Sequence, residues 1–256
     1  SIRRQTKKER FIEMITSEDH ADPKGLRRLA EELQYREDII RIPILCCLEQ
    51  PQYQKDFLES VKKGMLHKSE DISFALDEKY ILIFKTMDST EKRMFAEYKY
   101  ILAEYLQGTL QWMQREGIVC RFYIGTFQNS FLKYHYAYRH CRWLEKNTKS
   151  RHNSVYFYDH ICDFVQSIVP EDELDHIFNV YGKLLSEDMQ NSCKELINTL
   201  VDTNFNTAKA SEPLYMHKNT FLYQYNKIRD VLNVNPQSWY EDKWFLIFLQ
   251  LFLKNK

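Results

Sequence analysis

Apolar positions along this chain follow two periods, and the change from one to the other divides it. Up to about residue 158, short β-branched or alternating runs are interleaved with longer segments of helical spacing; beyond that only helical spacing remains. The strand-like runs are 39–48 (IIRIPILCCL), 71–75, 80–85, 118–124 and 155–158. Pro43 in the first run has no amide donor, which predicts an edge strand or a strand-start position. Runs 71–75 and 80–85 are separated only by 76–79 and predict a hairpin. Helical spacing predicts helices over 3–16, 24–33, 54–63, 90–116 and 130–146, with a turn at 17–23. Gly64 fills the position after a helix end, Gly117 stops a helix and Gly125 closes a strand. From the first strand onward the order is β-α-β-β-α-β-α-β, a ferredoxin-like core with an added αβ unit.

The second half reads as helices throughout. Segments 161–168 and 172–185 are broken around Pro170. Phe164, Val165 and Ile168, then Leu174, Ile177, Phe178, Tyr181 and Leu184, give each an apolar stripe, and they are expected to link the strand-containing half to the C-terminal helices. In 191–232 the pattern tightens. Leu196, Ile197, Leu200 and Val201 form one apolar face. Asp202, Asn204 and Asn206 interrupt it and offer side-chain oxygens for a new N-cap. A second helix is expected over 207–214, with Ala208 and Ala210 permitting close packing and Pro213 shortening or tilting its end. Tyr215, Met216 and His217 make a tight connection. A third helix from 218 to about 231 keeps Phe221, Leu222, Tyr225, Ile228 and Leu232 inside and shows Lys218, Asn219, Thr220, Tyr223, Gln224 and Lys227 outside. Two short helices, a tight turn and a polar-faced helix are the helix-turn-helix plan. Ser238 is expected to cap a last helix over 239–254, in which Trp244, Phe245, Ile247, Phe248, Leu251 and Phe252 make a broad apolar surface. Part of it is expected to cover the third helix, and the rest suits a core or a dimer contact.

A polar helix face is usually just solvated. Here its composition fits a nucleic acid: from 215 to 229 there are Lys218, Lys227, Arg229 and His217, and no acid. Cations meet phosphates, and amides meet base edges. Asn219 and Gln224 suit adenine, Lys218 and Thr220 sit where a helix N-terminus approaches phosphate, and Tyr223 packs on the backbone or donates to phosphate.

The same residues carry a family resemblance. The run from Ala208 to Tyr225, followed by Lys227 and Ile228, resembles the C-terminal helix-turn-helix of the sugar-diacid and purine-catabolism regulators (PucR/CdaR type), which reads roughly A-A-x-x-L-x-[VI]-H-[RK]-N-T-[LV]-x-Y-R-[LI]-x-x-[IL]. His217, Lys218, Asn219 and Thr220 match its core and Tyr223 its tyrosine; Gln224 replaces the usual arginine. Upstream, Ile124 and Gly125 followed by a helix with Tyr134, Tyr136 and Ala137 resemble the degenerate GGDEF-like domain of the same regulators. The resemblance implies an α+β chain, a ferredoxin-like, degenerate GGDEF-like domain followed by an all-α helix-turn-helix domain. It implies a cytoplasmic, sequence-specific transcription regulator with double-stranded DNA as partner, reading it through His217, Lys218, Asn219, Thr220, Tyr223, Gln224 and Lys227. A homodimer is expected, since one short helix reads few base pairs. An unidentified small-molecule effector is left open.

Catalysis is not expected. A working diguanylate cyclase needs a Gly-Gly hairpin and metal-holding carboxylates. The hairpin here reads Leu76-Asp77-Glu78-Lys79-Tyr80 and the first strand runs into Glu49-Gln50-Pro51, so only Glu49, Asp77 and Glu78 are candidate ligands. A nucleotide-binding or residual cyclase-like enzyme is the alternative. His135 and His140 lack a common helical face, and His160 with Asp163 make a poor metal pair; no metal, cofactor, Walker loop or nucleophile elbow is expected.

Composition adds boundaries. Lys+Arg and Asp+Glu both number 36, so no overall basic charge drives nonspecific nucleic-acid binding, and any DNA contact must rest on a local face. Arg3, Arg4, Lys7, Lys8 and Arg10 read as a solvated face. The six cysteines contain no C-x-x-C pair and read as buried free thiols of a reducing compartment, with Cys46 and Cys47 on opposite sides of a strand. No apolar run is long enough for a bilayer and no signal peptide is seen; the opening at Ser1 without methionine is expected to mark a fragment. The expected domains are an N-terminal helical segment (1–37), a GGDEF-like regulatory domain (38–160), a helical linker (161–190) and a helix-turn-helix domain (191–256).

Overall fold

The computed structural model describes residues 2–17, 22–88, 94–149, 152–185 and 187–254. Parts of the expected turn at 17–23, the start of the helix expected from 90, and the side chains of Arg3, Arg4 and Leu184 lie outside the described residues. Contacts group the chain into two compact units, Ser1–Ile161 and Cys162–Lys256.

The first unit is built on a five-stranded sheet of β1 (Arg41–Leu48), β2 (Ile72–Ala75), β3 (Tyr80–Thr86), β4 (Cys120–Ile124) and β5 (Ser154–Tyr156), in the order β2-β3-β1-β4-β5. β1 pairs antiparallel with β3 and β4, β2 antiparallel with β3, and β4 parallel with β5. Around it lie α1 (Ile2–Thr16), α2 (Pro23–Glu32), α3 (Gln54–Lys63), α4 (Met94–Glu116) and α5 (Tyr134–Asn147). All eight residues of β1 are buried, because helices cover both faces of the sheet. Ile42, Ile44, Cys46 and Leu48 join Phe57 and Val61 of α3 and Leu102 and Leu106 of α4 in one core. α5 packs over the other face, where the Cys141 thiol reaches the Pro43 carbonyl at 3.8 Å. Each fully buried aliphatic side chain here contributes about 1.5–3 kcal/mol.

The expectation for Pro43 is corrected: it lies in the central strand. In an antiparallel ladder a residue's nitrogen and carbonyl face the same neighbour. Pro43 accepts from the Gly125 amide at 3.0 Å, so its nitrogen faces the β4 side, where the ladder with β4 begins only at Ile44. The missing donor therefore removes no ladder bond. Gly125 is fixed by contact: a Cβ there would lie 2.6 Å from the Ala137 carbonyl oxygen, 2.8 Å from Pro43 Cγ and 2.9 Å from Cys141 Sγ. Only glycine lets α5 come this close to the end of β4.

Segment 1–37, expected as a separate piece, packs into the first unit. Phe11 is fully buried, with its ring 5.2 Å from Tyr35 and 5.6 Å from Phe131. Two of the N-terminal cations hold the fold: Lys7 pairs with Glu32 at 2.8 Å and Lys8 donates to the Ser73 carbonyl at 3.0 Å. The unit also buries charge. Arg41, 1% exposed, donates to the carbonyls of Glu70 and Arg36 and to the Tyr134 hydroxyl. Lys85 reaches both Asp71 carboxylate oxygens, at 3.2 and 2.9 Å, and the Leu66 carbonyl at 2.8 Å. Burial lowers the Lys85 pKa while Asp71 pulls it back up. His140 stacks on Phe157 at 4.2 Å, and burial, aided by Arg139, brings its pKa down to about 4.

The second unit is helical: α6 (Ile161–Ser167) at the boundary, then α7 (Glu171–Leu184), α8 (Glu187–Asp202), α9 (Thr207–Ala210), α10 (Lys218–Leu232) and α11 (Tyr240–Lys254). One core gathers Leu174 and Phe178 of α7, Leu196, Ile197 and Leu200 of α8, Phe221, Tyr225 and Ile228 of α10, and Leu246, Leu249 and Phe252 of α11. Much of the expected linker from α7 onward thus belongs to this core, whereas Val165, Ile168 and Ile177 of the two predicted stripes are exposed. α11 packs mainly on α7 and α8 rather than covering α10, a second correction. A third concerns the thiols: Cys162 is exposed, while the other five are buried and unpaired. No described helix is long and apolar enough to cross a membrane.

Candidate nucleic-acid interface

The interface is assembled by two breaks in helical structure. α8 ends where Asn204 and Phe205 take left-handed backbone angles (φ 53° and 59°), and the Phe205 amide closes on the Leu200 carbonyl. Asn206 then caps α9, its side-chain oxygen accepting from the amides of Ala208 and Lys209 at 3.1 and 3.2 Å. Of the three capping candidates in the sequence, this is the one that caps α9. α9 is a single turn, shorter than the expected 207–214. Residues 211–215 form turns, because Pro213 has no amide to donate and disfavours helical angles in the residue before it. Tyr215, with φ 52° and 98% exposed, ends this stretch.

His217 is extended and caps α10: its Nδ1 accepts from the Asn219 amide at 3.3 Å. The ring thereby serves as the N-cap of α10. Through this nitrogen His217 holds the start of the helix whose outer face carries the other candidate residues. From the cap onward, Phe221, Tyr225 and Ile228 are buried at i, i+4 and i+7. The Tyr225 hydroxyl donates to Gln237 at 2.7 Å. Leu222 and Leu232, expected inside, are half-exposed.

Lys218, Asn219, Thr220, Tyr223 and Lys227 are exposed and Gln224 is half-buried. Tyr223 is 72% exposed. Asn219, Tyr223 and Lys227 recur every four residues and span about 12 Å of helix axis at about 1.5 Å per residue, comparable to the width of a major groove. None of these side chains is hydrogen-bonded within the described residues. Arg229, in contrast, is engaged: it donates to the Val234 carbonyl and to Asn226, each at 3.3 Å, and lies over the Tyr225 ring. α10 ends at Asn233, which takes the left-handed cap position (φ 54°). The exposure of Tyr215 has no counterpart in the sequence pattern, since an aromatic in a turn carries no periodic signal.

The hairpin between β2 and β3 is organised differently. Asp77 Oδ1 accepts from the amides of Lys79 and Tyr80 at 2.8 and 3.0 Å, and Gln54 donates to the Asp77 and Tyr80 carbonyls. That carboxylate holds its own turn. Among the described residues no group of three or more His, Cys, Asp or Glu is placed to hold a metal ion.

Residues 194–251 match the family model of the PucR C-terminal helix-turn-helix domain. Comparison with curated proteins finds no match. Among solved structures, the chain resembles the regulator of polyketide synthase expression from Bifidobacterium adolescentis, with 11% identity over 98% of this chain and 93% of that one and a TM-score of 0.48. The matched segment, with α10 at its centre, is a PucR-type helix-turn-helix domain, and it points to a DNA-binding transcriptional regulator.

Proposed function

We propose that this chain regulates transcription by reading a specific duplex sequence through α10. Asn219 and Gln224 read base edges, Lys218, Thr220, Tyr223 and Lys227 hold phosphates, and His217 fixes the helix start. The observation that carries this reading is the outward row of amide, hydroxyl and cationic side chains on α10 without hydrogen-bond partners among the described residues. Side chains kept out of a protein's own hydrogen-bond network are available to another molecule's. The first unit is proposed as a non-catalytic, ferredoxin-like, GGDEF-like domain for regulation and dimerisation. Its β-α-β-β-α-β order with β2-β3-β1-β4 pairing supports the fold, and the inward use of Asp77 supports the loss of catalysis. The working species is a homodimer in the cytoplasm, reading two half-sites.

The test selects duplexes from a random pool with the full chain, then measures affinity by gel shift for the wild type and for Asn219→Ala with Thr220→Ala. Loss of specific binding with an unchanged circular-dichroism melt is the expected result. Wild-type affinity in the variant overturns the assignment of α10 as reader. Binding should also weaken steeply with added salt, as phosphate contacts require.

A further inference from the structure

The first unit contains a cleft of about 440 Å³ that the DNA reading does not use. It is lined by Thr16 and Ser17 at the end of α1 and by one stripe of α5: His135, Tyr136, Tyr138, Arg139, Arg142 and Lys146. Residues 135, 139, 142 and 146 follow the i, i+4, i+7, i+11 spacing of a single helix face. The lining holds three permanent cations and no carboxylate. Arg142 is already committed: it pairs with Glu145 at 2.8 Å and lies 4.6 Å over the Tyr80 ring. Arg139 is steadied differently, its guanidinium 5.2 Å over the exposed Tyr136 ring, which itself lies 3.8 Å from His135. Among the described residues neither Arg139 nor Lys146 forms an ion pair.

Three cations on one helical stripe repel each other. Lys146, in the last turn, gains from the helix dipole; Arg139, in the middle of the helix, does not. An anion in the cleft would offset that repulsion. A guanidinium presents a planar fork that suits phosphate, and stacking on Tyr136 holds the fork in place before any ligand arrives. The Tyr136 ring, tilted by 42° to the His135 ring, offers an aromatic surface beside it. The concavity and its volume fit a small ligand better than a duplex, which would need a ridge with room on both sides. We infer that this cleft binds a small molecule carrying a phosphate group and a flat ring. The phosphate meets Arg139 and Lys146, and the ring lies against Tyr136. The site belongs wholly to the first unit, so the inference does not depend on the DNA reading.

Calorimetry of the full chain with adenosine monophosphate, adenosine and inorganic phosphate tests it. The monophosphate should bind at least about tenfold more tightly than adenosine or phosphate alone, since each carries half of the recognition. Arg139→Ala with Lys146→Ala should lower monophosphate affinity by about tenfold or more while the melting temperature stays within a few degrees, both side chains being exposed. Arg139→Gln alone serves if the double variant melts early. No heat from the monophosphate, or equal affinity in wild type and variant, overturns the inference. So does a variant that loses duplex affinity in gel shift and keeps its ligand affinity, which would make the stripe a DNA contact. Selected-duplex binding measured on the same preparations separates this outcome from a failure of α10 as reader.

Discussion

The two units spend charged and polar side chains in opposite ways. In the first, Arg41, Asp71 and Lys85 are turned inward and bonded to carbonyls, amides, the Tyr134 hydroxyl or, for Asp71 and Lys85, each other, and even the hairpin carboxylate of Asp77 is occupied by its own turn. In the second, Lys218, Asn219, Thr220 and Lys227 stand outside with no intramolecular bond among the described residues. The comparison teaches that residue type does not separate structure from function. Asp77 and Asn219 are both polar candidates in the sequence, and what differs is whether the neighbouring backbone already uses the group. A polar side chain that satisfies its own fold has little left to offer a ligand, whereas one left to water can exchange that water for a base edge at modest cost.

The largest effect is expected from Asp71→Ala, which leaves the buried Lys85 ammonium without its counter-charge. The first unit should lose about 3–5 kcal/mol, read as an earlier denaturant transition, with duplex affinity of the folded chain unchanged. A loss below about 1 kcal/mol would mean that the inward charges are not structural. Next, Asn219→Ala should cost about 1–3 kcal/mol of specific duplex binding and nothing in folding, seen as a gel shift that moves while the melt does not. A melt that falls together with binding would place Asn219 among the structural residues instead. Asn206→Ala removes the α9 cap and should lower the stability of the second unit by about 1 kcal/mol, checked by the shift in its urea midpoint.

A pH effect is expected in the first unit. His140 has a folded pKa depressed to about 4, so it favours the neutral, folded form. That contribution is complete above the ordinary histidine value near 6.5 and is lost as pH falls toward 4. Because the ring is only half-buried, solvent screens part of it. The unfolding midpoint should fall across this window, and His140→Gln should flatten the profile. Smallest of all, Asp77→Asn keeps the turn's acceptor oxygen and should change stability by less than about 0.5 kcal/mol. A larger drop would show that the hairpin depends on charge beyond its acceptor geometry.

Much of this is legible in the sequence. The strand runs and helix stretches fall in the observed order, because period-two and period-3.6 patterns reflect which side chains meet the core. The row on α10 is legible because Phe221, Tyr225 and Ile228 fix its inner side, so the opposite face is set by geometry. Pro43 is misplaced by sequence reasoning because a sequence shows that a donor is missing but not which neighbour would have received it. The second helix of the tri-helical segment is shorter than expected, because Pro213 turns the helical bonding into the turns of 211–215 after Ala210. The role of His217 cannot be read from its type, since a ring nitrogen becomes a cap only once the next amides point at it.

By itself the sequence determined the alternation of elements, the inner and outer faces of α10 and the tri-helical plan around it, since these depend on neighbours a few residues apart. Only the tertiary structure decided that β1 is central, that α1 and α7 join compact cores, that α11 lies on α7 and α8, and that α5 lines a cationic cleft with the end of α1. Each of those outcomes depends on segments far apart in the chain, and side-chain periodicity carries no information about which distant surface will cover a given face.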